Sequence, residues 1–80
     1  MTLIYIVDDD DAVRDSLSIL LESAGLSIEA FPGAEAVLAR CAEQVPACVI
    51  TDVRMPGMDG MALFAALAKA EVDVPVIIMT

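Results

Sequence analysis

Acidic side chains follow two of the short apolar runs in this 80-residue sequence, and a threonine follows another. They are Asp8 and Asp9 after Leu3–Val7, Asp52 after Ala47–Thr51, and Thr80 after Val76–Met79. If these runs are neighbouring parallel strands, their carboxyl ends meet at one edge of the sheet, where ligand sites form. Three carboxylates held so close repel one another unless a cation is present. Clustered carboxylate oxygens with room for water suit Mg²⁺, so the spacing predicts a magnesium site.

The elements that would position these residues alternate strictly between strands and helices. Continuous apolar runs predict strands covered on both faces, and apolar residues at helical spacing predict the helices between them. The predicted strands are Leu3–Val7, Ser27–Phe31, Ala47–Thr51 and Val76–Met79. The helices are Asp11–Ala24, a second with Ala34, Val37, Leu38 and Cys41 on one face, and a third with Met61, Phe64, Leu67 and Ala68 facing inward. This alternation predicts a doubly wound parallel α/β sheet.

The charge balance excludes some classes of function. Thirteen acidic residues against four basic ones give a net charge of −9, which opposes direct binding to nucleic acid and to anionic membrane surfaces. No apolar run reaches the roughly 18 residues that a membrane-spanning helix needs. The N-terminus lacks the basic region and cleavage site of a signal peptide, so we expect a cytoplasmic protein. Cys41 and Cys48 are expected to pack as small hydrophobic residues.

Three stretches of the sequence together resemble the receiver domains of two-component signalling. They are Ile6-Val7-Asp8-Asp9-Asp10, the loop Asp52-Val53-Arg54-Met55-Pro56-Gly57-Met58-Asp59-Gly60, and the hydrophobic strand that ends in Thr80. The resemblance runs in order over the whole chain with family-like spacings. It implies a flavodoxin-like, three-layer α/β/α fold with strand order 2-1-3-4. Residues 1–80 would form the N-terminal two-thirds of a receiver domain, with the fifth strand missing.

The resemblance also implies a role for each candidate site residue. Asp52 would accept a phosphoryl group from a sensor histidine kinase. Asp8 and Asp9 would hold Mg²⁺ together with Asp52 and the main-chain carbonyl of Arg54. Thr80 would donate its hydroxyl to a phosphoryl oxygen and move when the acceptor is modified. The domain would then act as a phosphoacceptor that switches an output, and not as an enzyme.

The sequence departs from the family pattern after its fourth strand. Family members carry a lysine after a fifth strand, whereas the single lysine here, Lys69, matches a solvated helix face, so we assign no catalytic lysine. The uncovered fourth strand predicts self-association of the chain. The incomplete pocket predicts slow or undetectable phosphotransfer.

Two other functions stay open on the sequence. A receiver-like interaction or dimerisation module would need no phosphotransfer. A phosphatase of the haloacid-dehalogenase type also forms an aspartyl phosphate with Mg²⁺, and Asp9-Asp10-Asp11-Ala12-Val13 matches its D-x-D-x-[TV] motif. That function leaves the loop after Asp52 unexplained. Mutation separates the two phosphorylated classes, because Asp9→Asn would remove the nucleophile of the phosphatase and Asp52→Asn that of the receiver.

Overall fold

Four parallel strands form one sheet in the order β2-β1-β3-β4 in the computed structural model, which describes residues 2–79. The strands are β1 (Leu3–Val7), β2 (Ser27–Phe31), β3 (Cys48–Asp52) and β4 (Val76–Met79), and the helices are α1 (Asp11–Ser23), α2 (Ala34–Cys41) and α3 (Gly60–Lys69). The predicted sheet and its strand order are confirmed. β3 is displaced by one residue from its predicted bounds, so Asp52 is the last residue of the strand.

Helices pack on both faces of the sheet and give the three predicted layers. Side chains alternate between the two faces along a strand, so Tyr5 and Val7 point one way while Ile4 and Ile6 point the other. All four are buried. The core under α2 and α3 contains Tyr5, Val7, Ala34, Val37, Cys41, Val49, Met55, Leu63, Leu67 and Val74. α1 contacts β1 and β2 from the opposite face.

The first helix is only partly buried against the sheet. Asp10 caps its N-terminus through its carboxylate, and Gly25, with φ of +89°, follows its C-terminus. Leu17 and Leu21 are half-buried, whereas Leu20 is 64% exposed. Because α2 and α3 lie on the other face of the sheet, neither covers the outer flank of α1. None of the helices within residues 2–79 has the length and apolar character needed to cross a bilayer.

The buried face of α3 differs from the predicted one. Of the four residues expected to face inward, Leu67 is buried, whereas Met61, Phe64 and Ala68 are exposed. Leu63 is fully buried in their place. The prediction was wrong by one position, because a run as rich in apolar residues as this one presents several possible faces at helical spacing.

The start of α3 is held tightly against the end of β3, and this contact sets the rotation of the helix. Asp59 caps the helix by accepting a hydrogen bond from the Ala62 N–H at 2.9 Å. The Gly60 N–H donates to the Val53 carbonyl at 3.3 Å. A Cβ atom at Gly60 would overlap the carbonyl oxygen of Asp52, so only glycine permits this approach. With Gly60 against β3, the residues three and seven positions later face the sheet.

Candidate functional site

The pairing of β1 with β3 brings three acidic side chains to one edge of the sheet. Val7 lies opposite Thr51 in the parallel register, so Asp8, directly after β1, lies beside Asp52 at the end of β3. One carboxylate oxygen from each of Asp8, Asp9 and Asp52 lies within 4.8 Å of the other two. The structure thus brings together the three carboxylates that the sequence analysis singled out.

Hydrogen bonds hold Asp8 rigidly at the end of β1. Asp8 is only 4% exposed, and its Oδ1 accepts a hydrogen bond from the N–H of Asp10 at 2.9 Å. The Asp8 N–H donates to the carbonyl of Phe31, the last residue of β2, at 3.2 Å. The Asp8 carbonyl accepts from Nη1 of Arg14 in α1 at 2.6 Å. The acidic turn is therefore tied to both β2 and α1.

The electrostatics of the cluster oppose a full set of negative charges. Burial is the main cause that raises the pKa of Asp8 above its ordinary value. The hydrogen bond from the Asp10 N–H acts in the opposite direction, and the neighbouring charges of Asp52, Asp9 and Asp10 raise the pKa of Asp8 further. The carboxylates of the ionised cluster therefore repel one another, and a bound cation would relieve that repulsion.

Asp52 lies half-buried at the mouth of the site, at the start of a shaped loop. Its Oδ1 accepts from the N–H of Arg54 at 3.3 Å, which places the main chain of Arg54 beside the carboxylate while its side chain is exposed. The buried Thr51 hydroxyl donates to the Asp52 carbonyl at 3.0 Å. Met55 is buried in the core, and Gly57 adopts a φ of +75°. The loop is therefore anchored by Met55 and turns where glycine is favoured.

The donor set of this edge suits a small, hard cation. Mg²⁺ binds oxygen at about 2.0–2.1 Å, so ligands on opposite sides of the ion are about 4.2 Å apart. The oxygens of Asp8, Asp9 and Asp52 fall within a similar span. Asp9 is exposed and Asp52 half-buried, which leaves room for the water molecules that Mg²⁺ usually keeps. The residues present therefore fit the ion.

Two further residues considered in the sequence analysis have different relations to the cluster. Thr80 lies outside the described residues, although Met79, the residue before it, pairs with Asp52 in the register of β3 and β4. Lys69 is exposed in the last turn of α3. It lies about 14 Å along the helix axis from Gly60, the end that contacts β3. Lys69 is therefore not part of the site.

The two cysteines also lie apart from the acidic cluster. Cys41 is buried in the core under α2, and Cys48 is half-buried at the opposite end of β3 from Asp52. Burial raises the pKa of both thiols, which favours their protonated form. These positions agree with the prediction that both cysteines pack as small hydrophobic residues.

Arg14 contacts the acidic turn directly, although the sequence motifs indicated no role for it. Its position three residues after Asp11 is a spacing at which helical side chains meet, and the two side chains form an ion pair. The contact with the Asp8 carbonyl has no comparable signal in the sequence. The position of Asp11 argues against the phosphatase motif, because Asp11 is exposed on α1, pairs with Arg14 and lies outside the cluster that contains Asp9.

Comparison with known proteins agrees with this geometry. The sequence matches the response regulator receiver domain family over residues 4–80. It is 44% identical over 77 residues to the transcriptional regulatory protein FixJ of Bradyrhizobium diazoefficiens, a match that covers 96% of this chain and 38% of that protein. It is 41% identical over 78 residues to the DNA-binding transcriptional regulator NtrC of Salmonella typhimurium, covering 98% of this chain and 17% of NtrC.

The fold comparison gives the same result. The crystal structure of full-length FixJ from B. japonicum has a TM-score of 0.91 at 43% identity, and the match covers 99% of this chain and 39% of that chain. The chain thus spans less than half the length of these relatives. Receiver domains bind Mg²⁺ at an acidic pocket, and Asp8, Asp9 and Asp52 form such a cluster here. The chain belongs to the receiver domain family of two-component response regulators.

Proposed function

We propose that this chain is the phosphoacceptor module of a two-component phosphorelay, with Asp52 as the residue that is phosphorylated. The observation that carries the proposal is the convergence of Asp52 with Asp8 and Asp9 at the edge of a parallel sheet. Asp52 is the one residue of the three that lies in β3, and it is half-buried, so a phosphoryl donor can reach its carboxylate. Asp8 is buried and pinned, which suits a ligand and not a nucleophile.

The proposed reaction needs little beyond positioning and charge neutralisation. A carboxylate oxygen of Asp52 attacks the phosphorus as the bond from phosphorus to the donor histidine nitrogen breaks, and the electron pair of that bond stays on the nitrogen. Attack by water on the resulting acyl phosphate then releases phosphate and restores the carboxylate. The signal is therefore self-limiting, and phosphorylation adds charge and acceptor oxygens that bias a two-state element.

Asp8, Asp9 and Asp52, with the main-chain carbonyl of Arg54, are the proposed ligands of Mg²⁺. The N–H of Arg54 is bonded to Asp52, which supports the presence of its main chain at the site. When bound, the ion supplies charge neutralisation for the phosphoryl oxygens beside these carboxylates. We assign Thr80 as the residue that contacts a phosphoryl oxygen, and the pairing of Met79 with Asp52 supports that assignment.

The partners proposed for the domain follow from its family and its charge. A sensor histidine kinase is the phosphoryl donor, and a cytoplasmic location accompanies that role. The net charge of −9 supports the proposal that the domain itself makes no direct contact with nucleic acid or with anionic membranes. The domain acts as a phosphoacceptor and not as an enzyme with a separate substrate. We propose that residues 1–80 hold the N-terminal two-thirds of the receiver domain.

One observation favours a second property, self-association through β4. Within residues 2–79 this strand is an edge of the sheet, and Ile77 in its centre is 54% exposed. The carbonyls of Pro75 and Met79 accept hydrogen bonds from β3, so the main-chain groups of the alternate residues Val76 and Ile78 point away from the sheet. An edge of this kind can pair with a second chain. Such pairing would also suit the alternative function as an interaction module.

Replacement of Asp52 by asparagine should abolish phosphorylation of the chain. Long incubation with acetyl phosphate and Mg²⁺ should add at most one phosphoryl group to the wild-type chain, and only slowly, whereas Asp52→Asn should gain none; intact-mass spectrometry detects the difference. Asp59→Asn is the matched control, because asparagine can also cap α3 and the same charge is removed in the same loop. We expect this control to be labelled like the wild type.

The residue that carries the phosphoryl group also distinguishes a receiver domain from a phosphatase of the haloacid-dehalogenase type. Under the proposed function, Asp9→Asn slows labelling, and the phosphoryl group that is added remains on Asp52. A chain that loses its label with Asp9→Asn but keeps it with Asp52→Asn would contradict the proposed function.

Replacement of Asp8 by asparagine should stabilise the metal-free protein at neutral pH. Because the folded state raises the pKa of Asp8, its favourable contribution is complete below the ordinary aspartate pKa and is lost as the pH rises through the raised value. The asparagine side chain would keep an acceptor for the Asp10 N–H, so the variant loses only the charge. In urea unfolding without metal, the advantage of Asp8→Asn should therefore appear near neutral pH and vanish in acid.

The same pair of proteins should respond differently to Mg²⁺. A hundredfold excess of the ion over its dissociation constant should stabilise the wild type by about 2.7 kcal/mol, and Asp8→Asn by much less. Asp15→Asn, which removes an exposed charge from α1, should resemble the wild type in both measurements. Equal stabilisation of Asp8→Asn and wild type by Mg²⁺ would exclude Asp8 from the metal site.

A charge on β4 should weaken self-association. Sedimentation velocity of the wild-type chain should show concentration-dependent dimers or larger species, whereas Ile77→Lys should sediment as a monomer, since a lysine on an edge strand blocks pairing. Ile19→Lys is the control, because Ile19 is 69% exposed on α1 and the substitution adds the same charge. A wild-type chain that stays monomeric at all concentrations, or an equal effect of the two substitutions, would refute association through β4.

A further inference from the structure

We propose that Arg14 is a positioning residue for the metal site, acting through the peptide group that joins Asp8 to Asp9. This inference rests on the proposed function, since it concerns the same acidic cluster. It adds a residue that neither the acidic motif nor the loop after Asp52 contains. Arg14 binds no ion itself; it holds the main chain from which two of the proposed ligands project.

The contacts of the Arg14 guanidinium support this role. Nη1 donates to the Asp8 carbonyl oxygen at 2.6 Å, and Nη2 of the same group contacts the Asp11 carboxylate. The Arg14 side chain is only 16% exposed. Because the guanidinium is a planar fork with donors in fixed directions, the two contacts constrain each other. Arg14 thereby connects the end of β1 to the first turn of α1.

The orientation of the Asp8 carbonyl affects where the side chains of Asp8 and Asp9 point. This carbonyl belongs to a planar peptide group, so its direction also sets the direction in which the chain enters Asp9. The Asp8 N–H is held by Phe31 and the Asp8 carboxylate by the N–H of Asp10. Asp10 is in turn tied to α1, and the bond from Arg14 is the contact that acts on the Asp8 carbonyl itself. Loss of that bond would loosen the Asp8–Asp9 peptide and would spread the carboxylates of both residues over more orientations.

Charge and positioning predict opposite effects of removing Arg14. The guanidinium is a positive charge near a cluster that would bind a cation, so its charge alone opposes Mg²⁺ binding. Replacing it by a neutral residue changes the net charge of the chain from −9 to −10, which should strengthen attraction of the ion. A positioning role predicts weaker binding in spite of this change. The sign of the effect therefore identifies the role.

The experiment is a calorimetric titration of Mg²⁺ into wild type, Arg14→Gln, Arg14→Lys and Arg40→Gln. Arg40 is a matched control, because it lies on α2 away from the cluster and its guanidinium also bonds several side chains, those of Glu29, Glu43 and Gln44. We expect Arg14→Gln to weaken Mg²⁺ binding about tenfold or more, the range found for residues that orient metal ligands. Arg40→Gln should lower the melting temperature and leave the affinity for Mg²⁺ unchanged.

Arg14→Lys separates the effect of the planar guanidinium from the effect of its positive charge. It also keeps the test possible if Arg14→Gln does not fold. Lysine keeps the positive charge but offers one compact ammonium group in place of the planar fork, so its affinity should be lower than that of the wild type. Circular dichroism should show native helix content in each titrated variant, as expected for a helix with no fully buried residue. Amide NMR signals of Asp8, Asp9 and Asp10 should broaden or double in Arg14→Gln before any metal is added.

The possible outcomes distinguish the inference from the proposed function. Binding of Mg²⁺ by the wild type together with equal or tighter binding by Arg14→Gln would overturn the positioning role and leave the phosphoacceptor function intact. Wild-type affinity in Arg14→Lys would also overturn it, because the paired contacts of the planar guanidinium would then be unnecessary for Mg²⁺ binding. Absence of Mg²⁺ binding by the wild type itself would instead contradict the proposed function.

Discussion

The parallel pairing of β1 with β3 is the constraint on which the rest of the site depends. Because the two strands run in the same direction and Val7 lies opposite Thr51, the residues that follow them are forced together. Those residues are acidic, so the fold concentrates like charges at one edge of the sheet, and burial raises the pKa of Asp8 there. The arrangement is unfavourable for an isolated domain. Neutralisation of the charge relieves the repulsion, so a cation bound at this edge would stabilise the folded chain.

The surroundings of the cluster hold this unfavourable arrangement in place from several directions. β2 binds the main chain of Asp8, and the Arg14 guanidinium binds its carbonyl from α1. On the other side, the close approach of Gly60 anchors the start of α3 to the end of β3. These contacts involve main-chain atoms, so they restrict where the carboxylates can point while leaving the Asp52 side chain accessible. A rigid frame around carboxylates that solvent can still reach is the arrangement that phosphoryl transfer by positioning requires.

The sequence predicted the sheet well because buried parallel strands leave a clear pattern of continuous apolar runs. It also predicted the convergence of Asp8, Asp9 and Asp52, since strand ends in such a sheet share one edge. The inward face of α3 was predicted wrongly, because its rotation depends on the contact between Gly60 and Asp52, which periodicity does not encode. The contact between Arg14 and the Asp8 carbonyl was missed for a similar reason: a side chain that binds the main chain leaves no residue pattern. Thr80 lies outside the described residues, so its assignment stays a prediction.

The most direct test of the central claim is to replace Mg²⁺ by paramagnetic Mn²⁺, which shares its preference for oxygen ligands, and to record the amide NMR spectrum of the chain. The claim that one ion is shared by the ends of β1 and β3 predicts that broadening is strongest for the amides of Asp8, Asp9 and Asp52–Arg54. The amides of Arg40 and Lys69, at the far ends of their helices, should keep sharp signals. Broadening centred on the acidic turn after α3, at Glu71 and Asp73, or spread evenly over the acidic residues, would contradict the claim.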